Sequence, residues 1–545
     1  MNFFIQFFVF FFIVGCGSYN TIDHEPSIKL SSDFLAIEQN SGWYNDANGK
    51  IYEFNITVPQ PNDYLCAPYD DPTGTPRPCT LEDVENDSNP YDDYIPVVHA
   101  TLSLEGSIPV YGAMKQKGKS TRMADQKSFR FKIDKGERFI AKERTWQFNK
   151  HPYDRSRIRN KLAFDLIAEI PDIFSLKTKF VHLRVDNEDY GLFTHVENAG
   201  EEYLLNRGLN NGDNLYKAQN FAFFVSNILD SNGLLKPKDE LEASIEQQTG
   251  KDTEKLVAMV QAVNDYTQDF NVIFERYFDR ENYLTWMAIN LIMANKDTVS
   301  QNFFLFNPKL SDKFYFVPWD YDGAGRPDDR YAKWELGYGV WWGIPLHKRF
   351  LSIKENRDAL DAKVKLLSEK YITEENMQEK IDAYVKLIEP IVTATPDIDH
   401  LKESRWRDEV ANLIPQRARD IANYESQLGH PMPYWQWATY EDGKLTLFWE
   451  KSVDFEGDKI IYDIQFSENA DFNATNIIDE KGVAFDDALE VLSYEKDLVL
   501  DPGTYYMKIV AKEQNNPEHY NISFDKAVRG DDGEHRFGVT EVVVE

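Results

Sequence analysis

The sequence predicts an α+β protein in two lobes, one sheet-rich and one helical, with a small all-β sandwich behind them. Three observations carry this expectation. Short runs alternating apolar and polar residues recur through 51–198, at the period of strands. From about 238 to 428 the apolar spacing becomes helical, broken only by two aromatic strand runs between 302 and 318. After Gly429-His430-Pro431-Met432-Pro433 ends the helical pattern, alternating runs return. A chain of 545 residues is too long for one ordinary core, so several domains are expected: 1–16, 17–45, 46–428 and 434–545.

The first of these is a segment to be removed. MNFFIQFFVFFFIVGC is an apolar run closed by small residues, too short to span a bilayer, and reads as a secretory signal although it lacks Lys and Arg at its start. Ile13-Val14-Gly15-Cys16 resembles a bacterial lipobox, which makes Cys16 the expected lipidation site and the cell envelope the expected location; a buried apolar strand is the alternative. Residues 17–45 are polar and read as a tether. In an oxidising compartment Cys66 and Cys79, flanking a Pro/Gly-rich loop, are expected to form a disulfide. The net charge of −31 argues against nucleic acid as a partner, because phosphates need a basic surface.

Strands are expected at 51–58, 97–104, 110–117 and 128–133, as an antiparallel sheet. An amphipathic helix follows over 155–170, with Asp154 as its N-cap, then a hairpin of 178–186 and 190–198 turning at Asn187-Glu188-Asp189. A short helix begins at 201. Helix 281–295 leads into a second hairpin, 302–306 with 313–318, and helices resume over 344–353, 358–371, 376–392 and 403–429. Strands are expected at 444–450, 459–467, 497–500, 504–512 and 540–545, with Trp449 on an early one, as in immunoglobulin or fibronectin type III sandwiches.

The chemistry gathers on NKDTVSQNFFLFNPKLSDKFYFVPWDYDGA. Asp297 and Asn302, five residues apart, stand at the entrance of the second hairpin, and Asp320 and Asp322 at its exit. Oxygen donors collected at one end suit Mg²⁺ or Mn²⁺ together with substrate phosphates. Protein-kinase catalytic loops have the same Asp-to-Asn step, followed later by a metal-binding Asp. A calcium site of Asp320 and Asp322 with Asp328 and Asp329 is an alternative. KGKSTR is not a P-loop, because the first glycine that motif requires is Ala113. Its Gly118, Ser120, Thr121 and Arg122 form a turn that can cover nucleotide phosphates. Lys127, Arg130 and Lys132, near or on the SFRFKI strand, are rival candidates for the phosphate-binding cation, and surface charge on an edge strand explains any one of them equally well.

KGKSTR, QKSFRFK, DRSRIRNKLAFDL, YGLFTHVEN, ENYLTWMAINLIMANKD and NFFLF…KFYFVPWDYDGA resemble, in the same order, the spore-coat protein H (CotH) kinase family over roughly residues 50–425. The resemblance implies an atypical protein-kinase-like fold that binds ATP and a divalent metal and phosphorylates Ser or Thr of a protein substrate. It makes Asp297 the catalytic Asp, Asn302 a metal-supporting residue and Asp320 the metal-binding Asp. It also puts Arg159 and Asn160 in an R-N helix motif facing the cleft, as nucleotide- or phosphate-binding residues. Lys119 departs from the commoner K-G-N-S-T turn, and Asn295-Lys296 replaces the His-Arg of kinase loops. A silent kinase fold displayed at the surface as a binding protein is the second reading, suited to an anchored chain with a fibronectin-like module.

Overall fold

The computed structural model describes residues 43–44, 49–67, 74–89, 94–105, 107–137, 139–140, 143–325, 333–473, 476–486, 488–524 and 528–545. The expected signal, Cys16, most of the tether, Asp328 and Asp329 lie outside these residues.

The first sheet closes on itself. Strands β1 (Tyr52–Thr57), β2 (Val97–Leu104), β3 (Val110–Gln116), β4 (Phe129–Ile133), β5 (Thr145–Asn149), β6 (Thr178–Val185) and β7 (Glu188–Val196) run in the order β1-β2-β3-β4-β5-β7-β6. Parallel pairing of β6 with β1, from Tyr52↔Val181 to Ile56↔Val185, completes a barrel and leaves no open edge. The inward faces are the apolar sets that alternation picks out: Tyr52, Phe54 and Ile56, then Val98, Ala100, Leu102 and Leu104, then Phe129, Phe131 and Ile133. Gly112 faces the same interior, where a Cβ would lie 2.4 Å from the Phe131 ring. The antiparallel sheet expected from sequence is present in β1 to β4, and three further strands close it into a barrel. Its extra strand β5 shows no alternation because TWQFN is buried on both faces.

Cys66 and Cys79 are bonded, with a sequence separation of 13. Closing a loop of that length removes unfolded-chain entropy worth about 3 kcal/mol. Replacing both by Ser is expected to cost about that much, read as a lower urea midpoint, with a reductant doing the same to the wild type.

The helix expected from 155 is α1, Arg159–Ile167. Arg157, at φ 63°, delays it, so Asp154 is not the N-cap. Its carboxylate instead accepts the backbone N–H of Ser156 and of Arg159, each at 3.0 Å. Strands β8 (Asn214–Ala218), β9 (Ile245–Thr249), β10 (Phe303–Asn307) and β11 (Tyr315–Pro318) form a second sheet in the order β9-β8-β10-β11. The second hairpin is thus the half of this sheet with register Phe303↔Pro318 to Phe306↔Tyr315. Helix α2 (Arg280–Ile292) packs behind it. The Asn282 amide accepts the Phe316 N–H at 2.6 Å and donates to the Phe316 carbonyl at 3.1 Å, while Trp286 stacks on Phe316 at 4.2 Å. These contacts fix where β11 ends, and hence where Asp320 and Asp322 begin.

Helices α3 (Lys354–Lys370), α4 (Glu374–Val392), α5 (Glu403–Ala411) and α6 (Leu413–Ser426) belong to this part, with shorter ones that include Glu254–Val263, Phe270–Tyr277 and Pro345–Leu351; the single helix expected over 403–429 breaks at Asn412. Among the described residues no helix is long and apolar enough to cross a membrane.

The C-terminal residues form two sheets around one core that includes Leu447, Trp449, Ile464, Phe466 and Ile509. One is β12 (Gln436–Glu441), β13 (Lys444–Glu450) and β16 (Val491–Asp497). The other is β15 (Asn476–Val483), β14 (Ile460–Ser467) and β17 (Gly503–Glu513), with β18 (Tyr520–Ile522) and β19 (Val539–Val544) both on β17. The strand expected at 497–500 is displaced to β16, and Leu498 and Leu500 pack on the core beyond its end. Phe455 joins this unit to the helices, with its ring 3.8 Å from the Arg357 guanidinium and 5.3 Å from Trp342.

Candidate active site

The exit of the second hairpin faces the outer surface of barrel strands β3 and β4. Trp319 closes the gap between them. Its ring lies 4.9 Å from Lys117 Nζ and 5.6 Å from Lys217 Nζ, and it directly precedes Asp320. Lys117 stands one residue past β3, and its ammonium also donates to Asn149 Oδ1. Burial lowers its pKa below the ordinary lysine range, with Asp320 and Asp322 pulling it back up and Lys217 and Arg130 pushing the same way as burial. Lys217 is lowered by burial too, against Glu246 and Asp320. Arg130 on β4 is lowered by burial, with Glu246 opposing. The cleft therefore holds three cations that burial leaves poorly solvated, with Asp320, Asp322 and Glu246 as the acids that act on them.

Opposite them, the acids repel one another. Asp320 is raised above the usual carboxylate range by burial first and Asp322 second, while Lys117 lowers it. Ligand atoms of His151, Asp320 and Asp322 all lie within 4.8 Å of one another. Asp320 and Asn302 both adopt left-handed backbone, at φ 56° and 57°, which Asp and Asn tolerate better than most residues. At the entrance, Asp297 accepts from Asn302 Nδ2 at 2.8 Å and Gln301 Nε2 at 2.5 Å. Since Asn302 spends its NH₂ on Asp297, its carbonyl oxygen is the end it can offer to a cation. Crowded carboxylates with an amide oxygen fit a hard divalent ion.

The KGKSTR segment forms a turn after β3. Gly118 has φ 91°, and a Cβ there would lie 2.1 Å from Thr121 Oγ1. Thr121 Oγ1 donates to the Lys117 carbonyl at 2.8 Å, and the Ser120 carbonyl accepts from Tyr153 at 3.0 Å. These residues shape the turn and hold Lys117 at its end. Arg122 is 2% exposed and paired with Asp87 at 2.5 Å, so it is removed from the phosphate set. Lys127 donates to the Arg122 carbonyl at 2.7 Å and lines a separate 670 Å³ cavity with Tyr190 and His400. Lys132 is exposed. Of the three rival cations only Arg130 interacts with the lysines of this cleft.

Arg159 is a correction as well. It is bound to Asp154 at 2.6 Å and to Glu409 of α5 at 2.9 Å, tying α1 to the C-terminal helices. Arg159→Met strands two acids, one of them fully buried, and is expected to cost about 3–5 kcal/mol of stability. Nucleotide affinity of the protein that remains folded should stay within about twofold, measured by calorimetry. Asn160 does face the site: its Oδ1 accepts the Tyr321 N–H at 2.9 Å, between the two acids.

Lys117, Lys217, His151 and Trp319 escape the sequence reading. Strand parity could have found Lys117, because it falls on the same outward face of the barrel as Arg130. Lys217 sits on a strand that the periodicity does not reveal, and His151 is an isolated histidine.

The chain is 26% identical over 283 residues to inner spore coat protein H of Bacillus subtilis (strain 168), covering 50% of this chain and 76% of that one. It is also similar to the solved Helicobacter pylori proinflammatory kinase CtkA, at 14% identity over 54% of this chain and 91% of that one. The TM-score of that match, 0.21, is too low to relate individual elements. The family model described as CotH kinase protein matches residues 114–417, more than half of the sequence and the whole of the cleft just described, so the chain belongs to the CotH kinase family.

Proposed function

We propose that this protein is a divalent-metal-dependent phosphotransferase that carries the γ-phosphoryl group of ATP to a Ser or Thr hydroxyl of a protein substrate. The observation that carries the reading is the confrontation of Asp320 and Asp322 with the desolvated Lys117 and Lys217 across one cleft. In this reading the barrel is the nucleotide-covering lobe of a kinase-like fold, and the second sheet with its helices is the other lobe. Asp320, Asp322 and the Asn302 carbonyl would hold Mg²⁺ or Mn²⁺, which supplies charge neutralisation between the phosphates. Lys117, assisted by Arg130 and Lys217, neutralises phosphate oxygens. Asp297, exposed at the cleft mouth and oriented by Gln301 and Asn302, takes the hydroxyl proton as that oxygen bonds to the γ-phosphorus. The bond from phosphorus to the β,γ-bridging oxygen breaks, and ADP leaves. The test is transfer of label from γ-labelled ATP to protein acceptors with Mg²⁺ or Mn²⁺; equal transfer by wild type and Asp297→Ala would remove the assignment.

We further propose export and lipid anchoring through Cys16, on the strength of the apolar run ending in Ile-Val-Gly-Cys, and a fibronectin type III-like role for the C-terminal sheets. Metabolic labelling with a clickable fatty acid should mark the wild type and not Cys16→Ser.

A further inference from the structure

His151 stands beside the acids without an assigned task. It follows β5 in left-handed conformation, φ 49°, with its side chain only 7% exposed. Its backbone is held firmly. The His151 carbonyl accepts from Arg157 Nη1 at 2.6 Å and from the Asp154 N–H at 3.0 Å, and Arg157 also reaches the Lys150 carbonyl at 2.9 Å.

The ring's proton can be placed from its neighbours. The Tyr321 N–H can only donate, so the Asn160 atom 2.9 Å away must be its carbonyl oxygen. The Asn160 NH₂ therefore faces His151 Nε2, at 3.3 Å. A donor there requires a lone pair on Nε2, which puts the proton on Nδ1, and Nδ1 lies 3.1 Å from Asp322 Oδ2. The chain of bonds runs from the Tyr321 N–H through Asn160 and His151 to Asp322, the very next residue.

We infer that His151 is a positioning residue for the metal-binding carboxylate of Asp322: locked by Asn160 as the Nδ1–H tautomer, it donates to Asp322 Oδ2 and fixes the oxygen that Asp322 turns, beside Asp320, toward a divalent cation. This rests on the metal reading above and deepens it. With one nitrogen facing an amide donor and the other carrying a proton, the ring is not itself a ligand. Loss of a hydrogen bond that orients a ligating carboxylate typically weakens metal affinity about 10–100-fold.

The test uses the full chain and Mn²⁺ alone, with bound ion read by electron paramagnetic resonance. His151→Leu should bind Mn²⁺ about 10–100-fold more weakly. His151→Asn should restore most of the affinity, since the Asn side-chain NH₂ can take the place of Nδ1–H and Asn tolerates φ 49°. Wild-type affinity in His151→Leu would overturn the inference. So would His151→Asn binding as weakly as His151→Leu while both melt like the wild type, because the ring rather than its donor would then matter. Selective ¹⁵N-histidine labelling reads the tautomer without metal: a protonated Nδ1 is expected, and a protonated Nε2 would contradict the placement. A wild type that shows Nδ1–H yet binds no Mn²⁺ at millimolar concentration would overturn the metal reading and the positioning role with it, whereas normal wild-type binding with unchanged His151→Leu would sink the positioning role alone.

Discussion

Asp320→Asn is expected to abolish phosphate transfer, by about 10³-fold or more, while raising the melting temperature of the metal-free protein. The loss follows because such sites work chiefly by charge placement. The gain follows because burial and Asp322 hold the Asp320 carboxyl above its ordinary value of 3.8, so its ionised form is disfavoured in the fold. A group raised on folding contributes most stability below its unfolded pKa and loses it as pH rises through the folded value. The variant should therefore come close to the wild type near pH 4 and exceed it at pH 7, by about 1–3 kcal/mol, read as a higher melting temperature at pH 7 only. Asn is the right replacement because the position has φ 56°, where Ala would add strain of its own. A stabilised but inactive variant is what a functional carboxylate leaves behind.

The second large effect belongs to Lys117. Lys117→Met keeps a long apolar stem against Trp319 and removes the ammonium. A drop in kcat/KM of about 10²–10³-fold is expected, the scale of one lost transition-state donor. Stability should hold or improve, because an ammonium held below its ordinary pKa by burial is costly to keep charged. Lys132→Met, at an exposed position on the neighbouring strand, should change kcat/KM by less than about twofold. Equal losses in the two variants would mean that general positive charge on this face matters more than the lysine beside Asp320.

The contrast between these lysines also marks how far the sequence could be read. Alternation picked out Phe129, Phe131 and Ile133 and hence the outward face of Arg130 and Lys132. Which outward cation meets the acids depends on how the barrel leans on the second sheet, a long-range contact that no local period encodes. The hairpin of Asp297 to Asp322 was legible because turn residues sit between two aromatic runs. The barrel's closure was not, since β5 is buried on both faces and the β1–β6 pairing joins residues far apart in sequence. Arg122 looks like a phosphate ligand in sequence because it stands in a glycine-bearing turn, and Arg159 because it falls in the R-N helix motif of the family it resembles. Each is instead spent on a buried acid, Asp87 or Asp154. His151 acquires meaning only through Asn160 and Asp322, which reach it from a helix and from the second sheet.

The central claim is that the two faces of the cleft meet on one metal–nucleotide pair. Calorimetric titration of ATP into the full chain, with and without Mn²⁺, tests it most directly. One saturable site that requires the metal, is lost in Asp320→Asn and is weakened in Lys117→Met is the predicted result. ATP binding that ignores Mn²⁺ or survives Asp320→Asn unchanged, or no binding to the wild type at millimolar ATP with Mn²⁺, would contradict it.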